Sequence, residues 1–354
     1  WLLLTSVETG EVIYQQNLIL NCGMNCASVA QALGNMSVGD VSGQTTSLAT
    51  DGSGADICES ESFYGMPHIF VSGSNGQNVI ADANGNWEMP SNGNVTVSSS
   101  FAGQYFVVNN EAGSEANFST SVSDGGTAEL QNTDTSEYVL AEANAYLHLN
   151  LIRDFVLSYN PSYPVISTQT QMPANVNLGS SCNAYYDGGS TNYYIESGGC
   201  SNTSFSVIIH HEYGHHLVNT AGSGQNEYGE GMGDVMSVLM SGDAQLARGF
   251  FTNDCANGIR NADNNCQYQA SGCSSCGSAI HSCGQLISGV VWDLLELMPD
   301  DFDTAARIVI DSLPLHDGTS IDGAILLDYL ILDDDDGDLS NGTPNSDKIY
   351  NAFG

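Results

Sequence analysis

At 354 residues the chain is longer than one domain usually runs, so two domains are expected, and its 41% hydrophobic content with 39 glycines reads as folded and loop-rich. Only five basic residues (Arg153, Arg248, Arg260, Arg307, Lys348) face 41 acidic ones, a net charge of −36, which excludes nucleic acid and anionic lipid as partners and favours cations. A purely solubilising role for that charge, for instance in salty water, remains the open alternative.

The chain begins at Trp1 without an initiator Met or a charged-then-apolar leader, which reads as a mature, processed product, and no apolar run approaches the roughly 18 residues of a membrane span. Residues 1–20 alternate apolar and polar around Thr9-Gly10-Glu11 and predict a β-hairpin, the first of three expected units (1–24, 25–122, 123–354). From about 30 to 122, short β-prone runs such as HIFVSG and NVTVSSS alternate with Gly/Asn/Asp turns, predicting a small all-β sandwich. Residues 110–135 are polar and read as a linker or long surface loop. Helical spacing then appears over 136–159, a strand-rich stretch covers 165–200, and further helical patterns lie near 204–220, 229–241 and 283–298. The fold class is therefore α+β.

Ten cysteines (22, 26, 58, 182, 200, 255, 266, 273, 276, 283) and repeated Asn-x-Ser/Thr sequons suggest a glycosylated, extracellular chain with disulfides. Connectivity is open; the local pairs Cys182–Cys200 and Cys255–Cys266 are the simplest choices. Cys273-x-x-Cys276 has no second such pair to complete a zinc knuckle.

In VIIHHEYGHHLVNT, His211 and His215 are four residues apart on an apolar helix, so both project from one face and can share one metal ion. Glu212 lies beside that ion as a candidate general base, giving the H-E-x-x-H pattern of zinc hydrolases. In GEGMGDVMS, Glu230 and Asp234 repeat the four-residue spacing. Glu230 suits a third zinc ligand, and Asp234 suits the acceptor for the far ring nitrogen of a ligating histidine, His211 above all. The bland alternatives are a surface histidine cluster and acids placed at a helix N-terminus.

HEYGH followed by GEGMGD resembles the fungalysin and thermolysin families of zinc metallopeptidases over about 130–354. The resemblance implies a thermolysin-like catalytic domain with a β-rich lobe and a helical lobe, a Zn2+ cofactor, and secreted endopeptidase activity on peptide or protein substrates. SCNAYYDGGSTNYYIESGG is similar to the families' substrate-binding edge strand, which assigns Asn183 and Ala184 to backbone pairing with the peptide. AIHSCGQLISGVVWDL resembles the segment whose histidine stabilises the tetrahedral intermediate, assigning that role to His281. Arg260 in GIRNAD resembles an arginine that holds a substrate carbonyl. Tyr228 is the candidate for a second oxyanion donor, although its spacing to Glu230 departs from thermolysin's. The stretch from His215 to Glu230 is short for the family, which implies a tight turn between the zinc helices. Upstream, ADANGNWEMPSNGNVTVSSSFAGQYFVV looks like a carboxypeptidase regulatory-type β domain, and VETGEVIYQQNLI like the last hairpin of a fungalysin-type propeptide.

In DDDDGDLSNGTPN, Asp334, Asp336 and Asp338 alternate around Gly337, a spacing suited to Ca2+, with a solvated acidic turn as the alternative. Two other functions remain: a structural or filament-forming subunit that self-assembles on a peptidase fold without turnover, and a binding module in which the β domain docks a glycan or protein.

Overall fold

The computed structural model describes two short strands near the N-terminus, residues 39–269 and residues 273–354. Strands β1 (Leu2–Thr5) and β2 (Val12–Gln16) pair antiparallel, with Leu2 opposite Gln16. The expected turn at Thr9-Gly10-Glu11, both Cys22 and Cys26, and the start of the expected sandwich up to residue 38 lie outside the described residues.

Next come β3 (Val41–Ala49), β4 (Ser62–Gly65), β5 (Phe70–Gly73), β6 (Asn78–Ile80), β7 (Asn86–Met89), β8 (Val95–Ser100), β9 (Phe106–Asn110), β10 (Asn117–Val122) and β11 (Thr127–Asn132). One sheet runs β10-β8-β5-β6; the other runs β11-β3-β4, with β7 also on β3. Alternation builds both: in β8, Val95, Val97 and Ser99 are buried while Thr96 faces outward. Gly43 in β3 is required by close packing, because a Cβ there would collide with the Ala128 carbonyl and the Trp87 ring.

The stretch 110–135 is not a linker. It holds β10, antiparallel to β8, and β11, parallel to β3. These strands read as polar because each buries only alternate positions, Phe118 and Val122 in one and Leu130 and Asn132 in the other. Nor do the strands separate at residue 122. β9 pairs parallel with β12 (Met172–Leu178), in a third sheet ordered β13-β14-β12-β9 with β13 (Ala184–Tyr186) at the edge and β14 (Thr191–Tyr194) beside it.

Helix α1 (Glu137–Tyr159), about 35 Å long, is buried along most of its length. Several of its buried polar groups are paired: Glu142 accepts from Asn110 and the Ala116 N–H, and His148 Nε2 lies 2.7 Å from the Thr50 carbonyl. Then follow α2 (Ser206–Ala221), α3 (Asn226–Ser241), the short pair β15 (Gln245–Leu246) and β16 (Arg260–Asn261), α4 (Ile280–Leu297), α5 (Phe302–Ser312), α6 (Ala324–Asp333) and α7 (Ser346–Phe353). α2 and α3 touch through glycines; a Cβ on Gly214 would sit 2.7 Å from the Gly233 Cα. The architecture is α+β, and among the described residues no helix is long and apolar enough to cross a membrane.

Among the described residues, four disulfides join Cys58–Cys255, Cys182–Cys200, Cys266–Cys276 and Cys273–Cys283. The Cys182–Cys200 expectation is met and Cys255–Cys266 is not: Cys255 reaches back 197 residues to Cys58. Sequence nearness favoured the wrong partner because it ignores which loops the fold brings together. Cys273 and Cys276 both lie in disulfides, which removes the zinc-knuckle reading.

Candidate metal centre

Helix α2 turns Val207, Ile209, Leu217 and Val218 into the core and sends Ile208, His211, Glu212, His215 and Asn219 to one open face. That face floors a cleft of about 590 Å³. Its walls are edge strand β13, the start of α3, β16 and the start of α4.

His211 and His215 stand one helical turn apart with ring centroids separated by 5.0 Å. Glu230, on the first turns of α3, brings Oε2 to 3.3 Å from His211 Nε2 and 3.8 Å from His215 Nε2. The ligand atoms of His211, His215 and Glu230 all lie within 4.8 Å of one another. Four ligands about 2.1 Å from a tetrahedral zinc ion would stand about 3.4 Å apart, so this set fits such an ion. Glu230 Oε2 is buried, with no hydrogen-bond partner of good geometry although three imidazoles surround it, as expected of an atom shaped to face a cation.

The far side of each ring is also fixed. His211 Nδ1 donates to Asp234 Oδ1 at 2.9 Å. His215 Nδ1 donates to Gln225 Oε1 at 2.9 Å, and Gln225 Nε2 donates back to the His215 carbonyl at 3.0 Å. With both Nδ1 atoms carrying the proton, both Nε2 lone pairs point at the same place. Asp234 in turn receives Arg260 Nε at 2.6 Å and Nη2 at 2.7 Å, a bidentate pair.

Charge at the centre is unevenly held. Burial would raise Glu230, but His211, His215 and His281 outweigh it and bring it down to about 2. Burial likewise opposes ionisation of Asp234, yet Arg260 and His211 hold it well below the carboxylate range. Burial pushes Glu212 up to about 7, against the pull of His211. A carboxyl poised near neutrality beside two imidazoles can take up and release a proton.

His281, at the start of α4, is half exposed and brings Nε2 to 3.1 Å from Glu230 Oε2. Asn183 and Ala184 line the cleft at and just before edge strand β13. Arg260 lines it too, with two of its nitrogens engaged by Asp234 rather than free for a substrate carbonyl.

Tyr228 does not join the centre. Two residues before Glu230 on α3, it points about 200° away around the helix. Its ring is fully buried, 4.0 Å from the His316 ring. The acidic turn also differs from expectation: Asp334, Asp335 and Asp336 converge, while Asp338 caps a 3-10 turn through Ser340. Asp334 and Asp336 accept N–H groups of the same turn, from Gly337 and Asp338.

Sequence reading passed over Gln225 and a clamp beside the centre. His216, pushed down to about 4 by burial, is a neutral ring. Its Nε2 donates to Gln169 Oε1 at 2.9 Å, so its Nδ1 accepts from the Tyr186 hydroxyl at 3.0 Å. Asn219 donates to that same hydroxyl at 3.2 Å. The only sequence hint was the 212, 216, 219 spacing, which puts these residues on adjacent rows of α2.

Neither a family model nor a curated protein sequence matches this chain. Among solved structures, the chain is similar to the precursor of protealysin, a metalloproteinase from Serratia proteamaculans, at 14% identity and a TM-score of 0.46, over 62% of this chain and 79% of that one. It is similar to a putative carbohydrate binding protein from Pseudomonas aeruginosa at 9% identity and a TM-score of 0.17, over 30% of this chain and 96% of that one. At these values neither likeness establishes a shared fold, and the centre stands on its own geometry.

Proposed function

We propose that the chain is a secreted zinc-dependent endopeptidase with a two-lobed, thermolysin-like catalytic region, in which His211, His215 and Glu230 hold the zinc and Glu212 is the general base. The observation that carries this reading is the convergence of two Nε2 lone pairs and one carboxylate oxygen, each ring locked from behind, beside a buried carboxyl in an open cleft. Four disulfides are consistent with an extracellular setting.

Zinc bound there supplies Lewis acidity, polarising a scissile carbonyl and acidifying water. Glu212 removes the water's proton and delivers it to the leaving amine. His281, exposed at the cleft wall, donates to the oxygen that gains charge as the carbonyl is attacked. Edge strand β13, with Asn183 just before it and Ala184 at its start, stands at the margin of its sheet, where a peptide can extend it as an added strand. Asp234, held by Arg260, keeps the His211 ring oriented.

Glu212→Gln is the decisive variant. It should retain one zinc per chain while hydrolysis of an unstructured protein falls by about 10²–10⁴-fold, the usual contribution of a general base. A zinc-loaded wild-type chain with no more turnover than Glu212→Gln would instead leave a non-enzymatic extracellular subunit.

A further inference from the structure

The cleft is polarised along its length. From Ile208 to Asn219 its floor spans eleven residue steps of helix, about 16 Å, enough for about five residues of extended peptide. Toward the Ile208 end the lining includes the apolar Phe250 and Ile259, together with Asn183 and Arg260. At the Asn219 end it is polar and acidic, formed by Tyr186, Asp187 and Asn226. Asp187 anchors its own turn through the Gly189 and Ser190 N–H groups, which fixes its carboxylate in place.

No basic side chain balances that end. The chain has five Lys and Arg residues in all, and each is engaged elsewhere. Arg153 is on Asp154 and over the Tyr105 ring, Arg248 on Asp243, Arg307 on the Leu332 carbonyl, and Lys348 on Asn345. Arg260, the one cation lining the cleft, is neutralised by Asp234. At that end, away from the proposed zinc, an acidic substrate side chain therefore finds no counter-charge, whereas a basic one meets Asp187 and the field of a molecule with net charge −36.

We propose that the cleft selects cationic peptides, seating a Lys or Arg side chain of the substrate at its Asp187 end. The proposal rests on the peptidase reading above and names its substrate class.

Three matched fluorogenic peptides test it, sharing one uncharged apolar scissile pair and carrying Lys, Gln or Glu at the flanking positions. With the zinc-loaded full chain, kcat/KM should fall in the order Lys, Gln, Glu. At about 0.01 M ionic strength, where the Debye length is about 30 Å, Lys should exceed Glu by about tenfold or more, and the gap should shrink several-fold near 1 M. Fluorescence anisotropy with Glu212→Gln should return the same order in Kd without turnover. Asp187→Asn should reduce the ratio of Lys to Glu peptide in both measurements. Equal kcat/KM and equal Kd for the Lys and Glu peptides at low salt would overturn the proposal. An unchanged ratio in Asp187→Asn would overturn the seat assigned to that carboxylate. Ordered binding with no cleavage of any peptide would sink the peptidase reading and leave cation selection standing, so the two failures are distinguishable.

Discussion

Gln225 makes two hydrogen bonds to one residue, accepting from the His215 ring and donating to the His215 carbonyl. The second bond fixes which end of the amide faces the ring, and the first then fixes which ring nitrogen keeps its proton. Gln225→Ala should therefore weaken zinc binding by about 10–100-fold, read by competition with a chelator, while leaving the fold intact. A zinc affinity equal to wild type would mean that the ring needs no such partner. His211 and His215 were legible in the sequence because two side chains that could share one ion on one helix must lie about a turn apart, and Glu230 and Asp234 because reaching those two rings from a second helix asks for the same spacing. Gln225 was not, since an amide in a turn has no period to betray it. Tyr228 was misplaced because spacing along a chain does not say which side of a helix a residue takes, and its position two before Glu230 turns it into the core.

Between β13 and α2 the contact is a clamp with two jaws. The Tyr186 backbone N–H faces the Glu212 carboxylate, and the Tyr186 hydroxyl is held one turn further along by His216 and Asn219. Edge strand and the Glu212 carboxylate are thereby set against each other by a single residue. Tyr186→Phe keeps the ring and removes the hydroxyl, leaving the His216 Nδ1 lone pair without a donor. Loss of about 1 kcal/mol of hydrogen bonding should raise KM about fivefold, with a smaller change in kcat. A fall in kcat alone would place the hydroxyl's role in the chemical step. The long helices were legible from their apolar period, and α1, α2, α3 and α4 begin and end near the expected residues. β10 and β11 were not, because a strand with one wet face carries few apolar residues and resembles a loop.

At the scale of the whole molecule, the apolar core that joins the β layers to the helices encloses a polar cluster. Asp56, in the loop after β3, accepts from the Thr50 hydroxyl at 2.7 Å and from Asn144 of α1 at 2.8 Å. Burial outweighs these bonds and pushes its carboxyl up from 3.8 to about 6. The folded state thus prefers Asp56 protonated, so its contribution is complete below about 3.8 and is lost as pH rises to about 6. Asp56→Asn, which keeps an oxygen acceptor without the charge, should be more stable than wild type at pH 7–8 by about 1–2 kcal/mol, with the difference vanishing near pH 4 in denaturant titrations. Equal midpoints at both pH values would refute this. The cluster was invisible in the sequence, since Thr50, Asp56 and Asn144 meet only once the layers stack.

Strand β9 comes from the first half of the chain yet closes the sheet whose opposite margin is β13. Proteolytic maturation from the front must therefore halt before Phe106. Shaving further would strip β12 of its neighbour and unravel the sheet that carries the cleft's edge strand, so a strand encoded ahead of α1 is part of the helical half's own scaffold.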